Sequence, residues 1–463
     1  GLHRRQQKLL EQGTLSIWED YAHHPTEIKE FLSLMQGHYP GREVDVVFQP
    51  HRYSRTRTLK RELAQALAPA DRIFIQPVYG ASEAEEESGN LEAFLGACRE
   101  ADIEVESPHP GPELFSALRS HADQPQTILF IGAGDITEQA SVFSTLIQKK
   151  WEIRNAWLHW VKGQVHPECV LAQDEPLHNK TTLRVGGAAH CYAEPANFSD
   201  LRVLLRSSTH FGLPRFILGR GSNLVVPDEG FPGLVIRFQH AFWRRIEPLA
   251  DDRLLVGAGT RLRDLAAQAA RLELSGFEFM EGIPGSLGGS LRMNAGAMGS
   301  WMFDVVDRVQ LMKPDGTLLD LDRSAFRVGY RQVEELKQWL ALGAVLKSPG
   351  REATEAIRQK MQEYMLTRKS SQPRDPSAGC IFKNPDGDAA GRLIDTAGLK
   401  GLRVGDAQVS DIHGNFIINR GEATSQDVVD LIREVRQRVL EKHGIELEPE
   451  VLLLGPTWAE VMR

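Results

Sequence analysis

The first 150 residues alternate between short apolar runs and longer stretches with helical spacing. Apolar, β-branched runs at 44–48, 72–76 and 127–131 have the length of buried strands, whereas 57–67 has the pattern of a helix. Strands and helices that alternate in this way predict parallel βα units. We therefore expect a Rossmann-like α/β domain over 1–150.

The pattern changes at about residue 171. Short strands separated by glycine-rich turns dominate up to roughly 345, and a charged helix is predicted over about 352–368. A further helix is predicted over 425–443, because apolar residues recur there at helical spacing: Val428, Leu431, Ile432, Val435 and Val439. These changes divide the chain into a first domain over 1–150, a linker over 151–170, a region over 171–370 and a last domain over 371–463.

Composition narrows the class of protein without identifying it. The chain has 463 residues, of which 41% are hydrophobic and 25% charged, as in ordinary globular proteins. No apolar run reaches the ~20 residues that cross a bilayer, and we expect no secretory signal. A net charge of -8 disfavours general nucleic-acid binding. The four cysteines show no C-x-x-C or metal-site spacing, so we expect no metal and a reducing, cytoplasmic location.

Two glycine-rich loops, 218–225 and 281–290, are candidates for an anion site. Glycines let successive backbone N–H groups converge on an anion, and Ser222 and Asn223 add side-chain donors to the first loop. The chain contains no G-x-x-x-x-G-K-[ST], so an autonomous P-loop ATPase is not expected. Each loop alone is equally compatible with a tight turn in a β-rich domain. The presence of two such loops favours a site for a diphosphate.

The segment 377–385 places a single thiol, Cys380, directly after a glycine. Lys383 and Asn384 follow within four residues and could hold an anion. Taken alone, the segment is more often an ordinary loop with a half-buried cysteine than a site. Taken alone, Glu450 is better interpreted as a surface acid before the last strand.

The order of motifs from 171 to 455 resembles the UDP-N-acetylenolpyruvoylglucosamine reductase family, the MurB flavoenzymes. Six segments carry the resemblance: 179–187, 218–225, 282–296, 329–331, 378–385 and 447–451. The resemblance implies an α+β FAD-binding region of the vanillyl-alcohol-oxidase (PCMH) type, followed by a smaller α+β substrate domain. It also implies FAD and NADPH as cofactors and an enolpyruvyl UDP-sugar as substrate, in peptidoglycan precursor synthesis.

The resemblance assigns roles to individual residues. It implies that Arg331 stabilises a developing enolate, that Cys380 donates a proton, and that a protonated Glu450 lies on the opposite side. Cys380 departs from the family pattern, which most often has serine there. A thiol is a far stronger acid than an alcohol, so the replacement is chemically competent, although it exposes the site to oxidation. The implied substrate residues are Tyr330, Lys383 and Asn384, and the implied FAD residues are Gly219, Gly221, Ser222, Asn223, Gly285, Ser286 and Gly289.

The segments 20–28 and 48–56 are similar to the C-terminal domain of the UDP-N-acetylmuramate–L-alanine ligase family, MurC. Residues 1–5 resemble the junction that precedes this domain, so the ligase's nucleotide-binding and UDP-binding domains are not part of this sequence. The resemblance implies an L-alanine site formed by Tyr21, His23, His51, Arg52 and Arg55. The alternative for 23–24 is a capped helix start, with Thr26 and Glu27 in its first turn.

Two other functions remain open at this point. The first is a flavin-dependent oxidase of the same fold that uses oxygen. The second concerns residues 1–150 only, as a non-catalytic docking module that binds the rest of the ligase or other enzymes of the pathway. Ligase activity from these residues alone is not expected.

Overall fold

The computed structural model describes residues 5–119, 124–150, 152–314 and 316–461. The chain divides into two compact units, one of residues 1–163 with 207–213 and one of residues 164–206 with 214–463. Residues 1–4, which belong to the ligase-like junction, lie outside the described part. No helix among the described residues is long and apolar enough to cross a membrane.

The first unit is built around a five-stranded sheet of order β1-β2-β5-β3-β4. Neighbouring strands are parallel except for β1, which is antiparallel to β2. All six residues of β5 are buried, as expected for the central strand of a parallel sheet. The strands are β1 Gln7–Gln12, β2 Leu15–Asp20, β3 Glu43–Phe48, β4 Arg72–Ile75 and β5 Gln126–Ile131, and the helices are α1 Pro25–His38, α2 Tyr53–Leu67, α3 Leu91–Glu100, α4 Pro112–Arg119, α5 Ile136–Gln148 and α6 Ile153–Lys162.

The second unit begins with a four-stranded sheet of order β6-β7-β10-β8. Strands β7, β10 and β8 are parallel, and β6 is antiparallel to β7. The short strand β9 lies outside this sheet and pairs with a strand near the end of the chain. These elements are β6 Val170–Pro176, β7 Ala188–Glu194, α7 Phe198–His210, β8 Arg215–Leu218, β9 Leu224–Val225 and β10 Phe231–Arg237, of which the last turn of α7, from residue 207, is counted with the first unit.

An antiparallel five-stranded sheet follows, of order β11-β12-β20-β16-β17. Helix α8 and the short helix α9 pack their apolar residues into the same core as this sheet. The elements are β11 Ile246–Leu249, β12 Arg253–Gly257, α8 Leu262–Arg271, β13 Leu274–Ser275, α9 Leu287–Arg292, β14 Gly296–Ala297, β15 Ser300–Trp301, β16 Val306–Met312, β17 Leu318–Asp322, β18 Val328–Gly329, β19 Gln332–Val333, α10 Glu335–Gln338, β20 Leu340–Lys347, β21 Gly350–Arg351 and α11 Thr354–Ser371.

The last part of the second unit is a four-stranded antiparallel sheet of order β22-β25-β24-β23, which shares a core with the long helix α13. The predicted apolar positions of that helix, among them Leu431 and Val435, are buried. The elements are β22 Ser377–Cys380, α12 Ala390–Thr396, β23 Arg403–Val404, β24 Ala407–Val409, β25 Phe416–Asn419, α13 Ser425–His443, β26 Leu452–Leu453 and α14 Trp458–Val461.

A reciprocal cap fixes where α13 begins. The Asp427 N–H donates to Oγ1 of Thr424 at 3.0 Å, and the Thr424 N–H donates to Oδ2 of Asp427 at 2.9 Å. We predict that Thr424→Ala lowers the free energy of unfolding of the C-terminal domain by about 1 kcal/mol, because one helix-end donor loses its partner. Urea unfolding checks this, with exposed Gln437→Ala in the same helix as control. Equal effects of the two variants would contradict the role of the cap.

Candidate active site

The hairpin of β18 and β19 presents Arg331. The two strands pair antiparallel and leave Tyr330 and Arg331 as the connecting residues. Arg331 has a φ of +57°, a left-handed conformation that is uncommon for a residue with a Cβ and often marks a functional position. Its guanidinium carbon lies 5.4 Å from the ring centre of Tyr330 and 5.7 Å from that of Trp301, within cation–π range. The two rings therefore restrict where the guanidinium can lie.

Arg331 is paired with Glu450. Nε of Arg331 lies 2.8 Å from Oε1 of Glu450, and the side chains are only 23% and 10% exposed. The Nε–H is not aligned with that oxygen, so the contact is an ion pair without a formed hydrogen bond. Burial raises the pKa of Glu450, and the positive charge of Arg331 opposes that rise. Glu450 is thus a carboxyl group whose protonation depends on a guanidinium beside it.

Backbone pairing holds Glu450 beside the thiol segment. The Glu450 N–H donates to the Ile381 carbonyl at 2.7 Å, and the Lys383 N–H donates to the Glu448 carbonyl at 2.9 Å. Asn415, which is buried, clamps the same segment from the other side, exchanging bonds of 2.9 and 2.8 Å with the backbone of Phe382. The position of Cys380 relative to Glu450 is therefore set by main-chain bonds.

Cys380 ends strand β22, next to Gly379, whose φ of +76° favours glycine. Burial raises the pKa of the Cys380 thiol to about 11, and the negative charge of Glu450 adds to the rise. Arg331 and Arg368 act in the opposite direction but do not cancel it. The thiol is therefore protonated at neutral pH and suits an acid better than a nucleophile, since the nucleophile would be the thiolate.

The predicted substrate residues lie around this group with their own partners. Tyr330 is 50% exposed. The Lys383 ammonium is ion-paired with Glu448. Oδ1 of Asn384 accepts a hydrogen bond from the Ala390 N–H at 3.1 Å, at the start of α12. A substrate anion at Lys383 would have to compete with the Glu448 carboxylate.

The first glycine loop is bonded to Glu450 and to the short strand β26 that follows it. Nδ2 of Asn223 donates to the Glu450 carbonyl at 3.3 Å, and β9 pairs in parallel with β26. Gly221 has a φ of +61° and packs against Thr181, where a Cβ would lie 2.8 Å from backbone. Asn223 therefore helps to position the backbone of Glu450, a contact that the spacing of the loop did not indicate.

A cavity of about 230 Å³ lies between the two glycine loops. Of the predicted FAD residues, Gly219, Ser286 and Gly289 line it, whereas Gly221, Ser222, Asn223 and Gly285 do not. A Cβ on Gly289 would meet nothing within 4 Å, so the space beside it is open. Among the described residues, the lining contains no carboxylate and six cationic side chains, which sequence reasoning missed: Arg215, Arg220, Arg261, Arg292, Lys313 and Lys337. This charge fits a ligand that carries phosphates.

Three of the five predicted ligase residues, Tyr21, His23 and His51, have their rings close together in the first unit. The ring centres of Tyr21 and His23 are 5.6 Å apart, and those of His23 and His51 are 6.0 Å apart. Nη1 of Arg55 lies 3.4 Å from Nδ1 of His51, and Arg52 precedes α2 with a φ of +66°. Burial, followed by the charge of Arg55, lowers the pKa of His51.

The capped helix start that is the alternative for 23–24 is also present, and its N-cap is the second of the two histidines. His24 is the N-cap of α1, and Oε2 of Glu27 accepts from the His23 and His24 N–H groups at 3.1 and 3.2 Å. His24 thus caps the helix, whereas the ring of His23 packs near the rings of Tyr21 and His51. Among the described residues, no cluster of three histidine, cysteine or acidic side chains could hold a metal ion.

Comparison with known proteins agrees with this arrangement. Residues 372–454 match the C-terminal domain of UDP-N-acetylenolpyruvoylglucosamine reductase, and residues 189–322 match an FAD binding domain. The reductase of Pelobacter propionicus is 39% identical over 286 residues, which are 62% of this chain and 96% of that protein. Reductase 2 of Symbiobacterium thermophilum is 44% identical, over 61% of this chain and 91% of that protein. The chain belongs to the UDP-N-acetylenolpyruvoylglucosamine reductase family.

A solved structure supports the same conclusion for the fold. The family's reductase from Thermus caldophilus matches with a TM-score of 0.53 at 38% identity, over 62% of this chain and 98% of that one. Residues 3–134 match a Mur ligase, glutamate ligase domain. The predicted architecture, a Mur ligase domain followed by an FAD-binding region and a smaller domain of the reductase family, is confirmed.

The site's electrostatics predict how the thiol reacts. Because the Glu450 charge raises the pKa of Cys380, we predict that Glu450→Gln lowers that pKa below about 11 and speeds alkylation by iodoacetamide at pH 9. Arg331→Met should slow it. Mass-spectrometric labelling rates against pH check both, with Cys380→Ser giving the background from the buried cysteines. Unchanged rates in both variants would mean that neither group acts on the thiol.

Proposed function

We propose that the second unit catalyses the NADPH-dependent reduction of the enolpyruvyl ether of UDP-N-acetylglucosamine to UDP-N-acetylmuramate, with FAD as cofactor. The observation that carries the proposal is the meeting of Arg331, Cys380 and Glu450 from three separate segments of the chain. A fixed cation, a protonated thiol and a buried carboxyl are the groups that the addition of a hydride and a proton to an enol ether requires.

The cationic cavity is where we place the FAD diphosphate. Gly219, Ser286 and Gly289 line it together with six arginine and lysine side chains, so backbone and guanidinium donors are available to phosphate oxygens. We propose that Gly221, Ser222, Asn223 and Gly285 shape the two loops that hold the cofactor. FAD, when bound, supplies the hydride that it takes from NADPH.

Arg331 would stabilise the charge that develops on the substrate. Hydride addition to the terminal vinyl carbon pushes electron density towards the carbon bearing the carboxylate, and an enolate-like charge forms there. The rings of Trp301 and Tyr330 and the Glu450 ion pair hold the guanidinium in place beforehand. A cation that does not have to reorganise stabilises the transition state more than the ground state.

Cys380 would deliver the proton to that carbon. Its S–H bond breaks as the new C–H bond forms, and the resulting thiolate is stabilised by the positive charges near it before solvent reprotonates it. Its raised pKa, near 11, keeps the proton on sulfur until the substrate carbon becomes basic. We propose that Lys383 and Asn384 bind the substrate diphosphate and that Tyr330 packs against the substrate or the nicotinamide.

For the first unit we propose a retained amino-acid subsite of a UDP-N-acetylmuramate–L-alanine ligase, at Tyr21, His23, His51, Arg52 and Arg55. The product of the proposed reductase is the substrate of such a ligase, which motivates the fusion. We place the unit at 1–150, the linker at 151–170, the FAD-binding region at 171–370 and the substrate domain at 371–463. The free cysteines fit a cytoplasmic protein.

We predict that Cys380→Ser keeps activity within about tenfold of wild type, whereas Cys380→Ala loses at least about 100-fold, the usual contribution of a general acid. NADPH should bleach the yellow flavin equally in all three proteins, because that step does not need the donor. Stopped-flow absorbance separates the two half-reactions.

Two outcomes would contradict this account. Near wild-type turnover by Cys380→Ala would assign the proton to another group or to water. Rapid reoxidation by oxygen, with none by the enolpyruvyl sugar, would favour a flavin oxidase instead.

We also predict that the chain alone forms no ADP from ATP in the presence of L-alanine and UDP-N-acetylmuramate, because it contains no P-loop. A coupled ADP assay checks this, with an intact ligase as positive control. ADP formation that depends on L-alanine would show that the first unit is a complete ligase and not a subsite.

A further inference from the structure

Asn415 uses its backbone and its side chain to hold the thiol segment. The side chain bonds to both backbone groups of Phe382, and the Asn415 carbonyl accepts from the Ile381 N–H at 2.9 Å. The Asn415 N–H donates to Nδ1 of His413 at 3.1 Å. Because Asn415 is only 3% exposed, water is poorly placed to replace a lost partner. The position of Asn415 therefore depends on the ring of His413.

Two elements hold the ring of His413 in place. A Cβ on Gly391, near the start of α12, would lie 3.0 Å from Cε1 of the ring, so the helix contacts the ring closely. The ring centre of Phe416, in β25, lies 4.9 Å away. The Phe416 N–H in turn donates to the His413 carbonyl at 3.0 Å. The ring therefore has little freedom to turn, and Nδ1 stays beside the Asn415 N–H.

The turn that carries His413 leads directly into the strand that pairs with the thiol. Phe416 is the cross-strand partner of Cys380 in the antiparallel sheet. Asn415 and Phe416 together thus contact three successive residues, 380–382. These contacts would transmit a shift of the turn to Cys380.

Nδ1 of His413 can accept this bond only while the ring is neutral. A protonated imidazole carries a hydrogen on both nitrogens and can accept at neither. Burial, followed by the charge of Lys400, lowers the pKa of His413 from the ordinary value of 6.5, although its own carbonyl opposes the shift. The bond is therefore formed at neutral pH and is lost as the pH falls below the pKa of the ring.

The charged groups on the elements that pack against the ring are ion-paired. Lys400 pairs with Asp395 at 2.8 Å, and Arg392 of α12 pairs with Asp388. Asp411, in the turn itself, is ion-paired as well, and β25 carries no charged residue. Among the described residues of these elements, no unpaired carboxylate is therefore available to stabilise a charged ring.

We propose that His413 is a positioning residue for the proton donor: its neutral ring holds Asn415, and Asn415 holds the backbone that carries Cys380. Protonation of the ring would release the Asn415 N–H and loosen this support. The inference rests on the proposed function, because Cys380 is taken there as the donor, and it adds a residue that acts through another.

Two substitutions separate the acceptor atom of His413 from the bulk of its ring. His413→Phe keeps an aromatic ring of similar size but removes the acceptor, whereas His413→Asn places Oδ1 where Nδ1 lies and cannot titrate. An asparagine side chain commonly accepts from the N–H two residues further on, so this variant should preserve the bond. His443→Phe is the matched control, because that ring contacts the C-terminal end of α12.

Stopped-flow absorbance of the flavin-loaded protein separates the two half-reactions. We expect His413→Phe to slow reoxidation by the enolpyruvyl sugar about 10-fold or more, as a misplaced catalytic group does, and to leave reduction by NADPH within about twofold. His413→Asn should reoxidise at about the wild-type rate at pH 8. The ratio of the wild-type rate to the His413→Asn rate should fall at least about threefold between pH 8 and pH 5, since only the wild-type ring titrates. Ionisations that both proteins share cancel in this ratio.

Alkylation of Cys380 gives a readout that does not depend on turnover. His413→Phe should raise its rate with iodoacetamide at pH 9 at least about threefold, because a loosened segment exposes the thiol and lowers its pKa from about 11. His413→Asn and His443→Phe should match wild type.

The outcomes separate this inference from the function on which it rests. Unchanged reoxidation and alkylation in His413→Phe would overturn it. Equal losses in His413→Phe and His413→Asn would assign the effect to packing of the ring and overturn the role of the acceptor atom. A constant ratio from pH 8 to pH 5 would overturn the link to protonation of the ring. Altered alkylation in His413→Phe, with no reoxidation of the wild-type protein by the sugar, would count against the proposed function alone.

Discussion

The ion pair between Arg331 and Glu450 is the contact on which the rest of the site depends. It joins the turn of the β18–β19 hairpin to the segment just before β26, and both of its partners change the pKa of Cys380. With the carboxyl charged, the guanidinium is held in place and the thiol keeps its proton. One ion pair therefore acts on both the position of the cation and the pKa of the thiol.

Hydrogen bonds to the backbone of Glu450 fix the position of this residue in the site. Glu450 is bonded through its backbone to Ile381 on one side and to the Asn223 side chain on the other. Hydrogen bonds of 2.7 to 3.3 Å therefore join the thiol segment and the first glycine loop to the backbone of Glu450.

Much of the fold could be predicted because it depends on local patterns. Helix α13 has the predicted bounds, since apolar residues recur at helical spacing between Thr424 as cap and Gly444 in a left-handed conformation. The strand predicted at 127–131 begins one residue earlier in the structure, at Gln126, whose side chain bonds to Asp45. The spacing of apolar residues along the chain does not indicate hydrogen bonds between side chains that are far apart in the sequence.

The site was predictable only in part, for the same physical reason. Arg331, Cys380 and Glu450 were identified by the order of six motifs, whose resemblance to a known family carries tertiary information. Arg368 and Asn415 belong to the same region but have no local signature: one lies in the last turn of a charged helix and the other in a turn before β25. Their importance comes from burial and partners, which only the folded chain shows.

The central claim is that Cys380 holds the proton that the substrate receives. The infrared S–H stretching band, taken as the difference between wild type and Cys380→Ser at pH 8, tests it most directly. A pKa near 11 predicts a clear band from a fully protonated thiol. Absence of the band at that pH would mean a thiolate in the resting site, and would contradict the assignment of Cys380 as the acid.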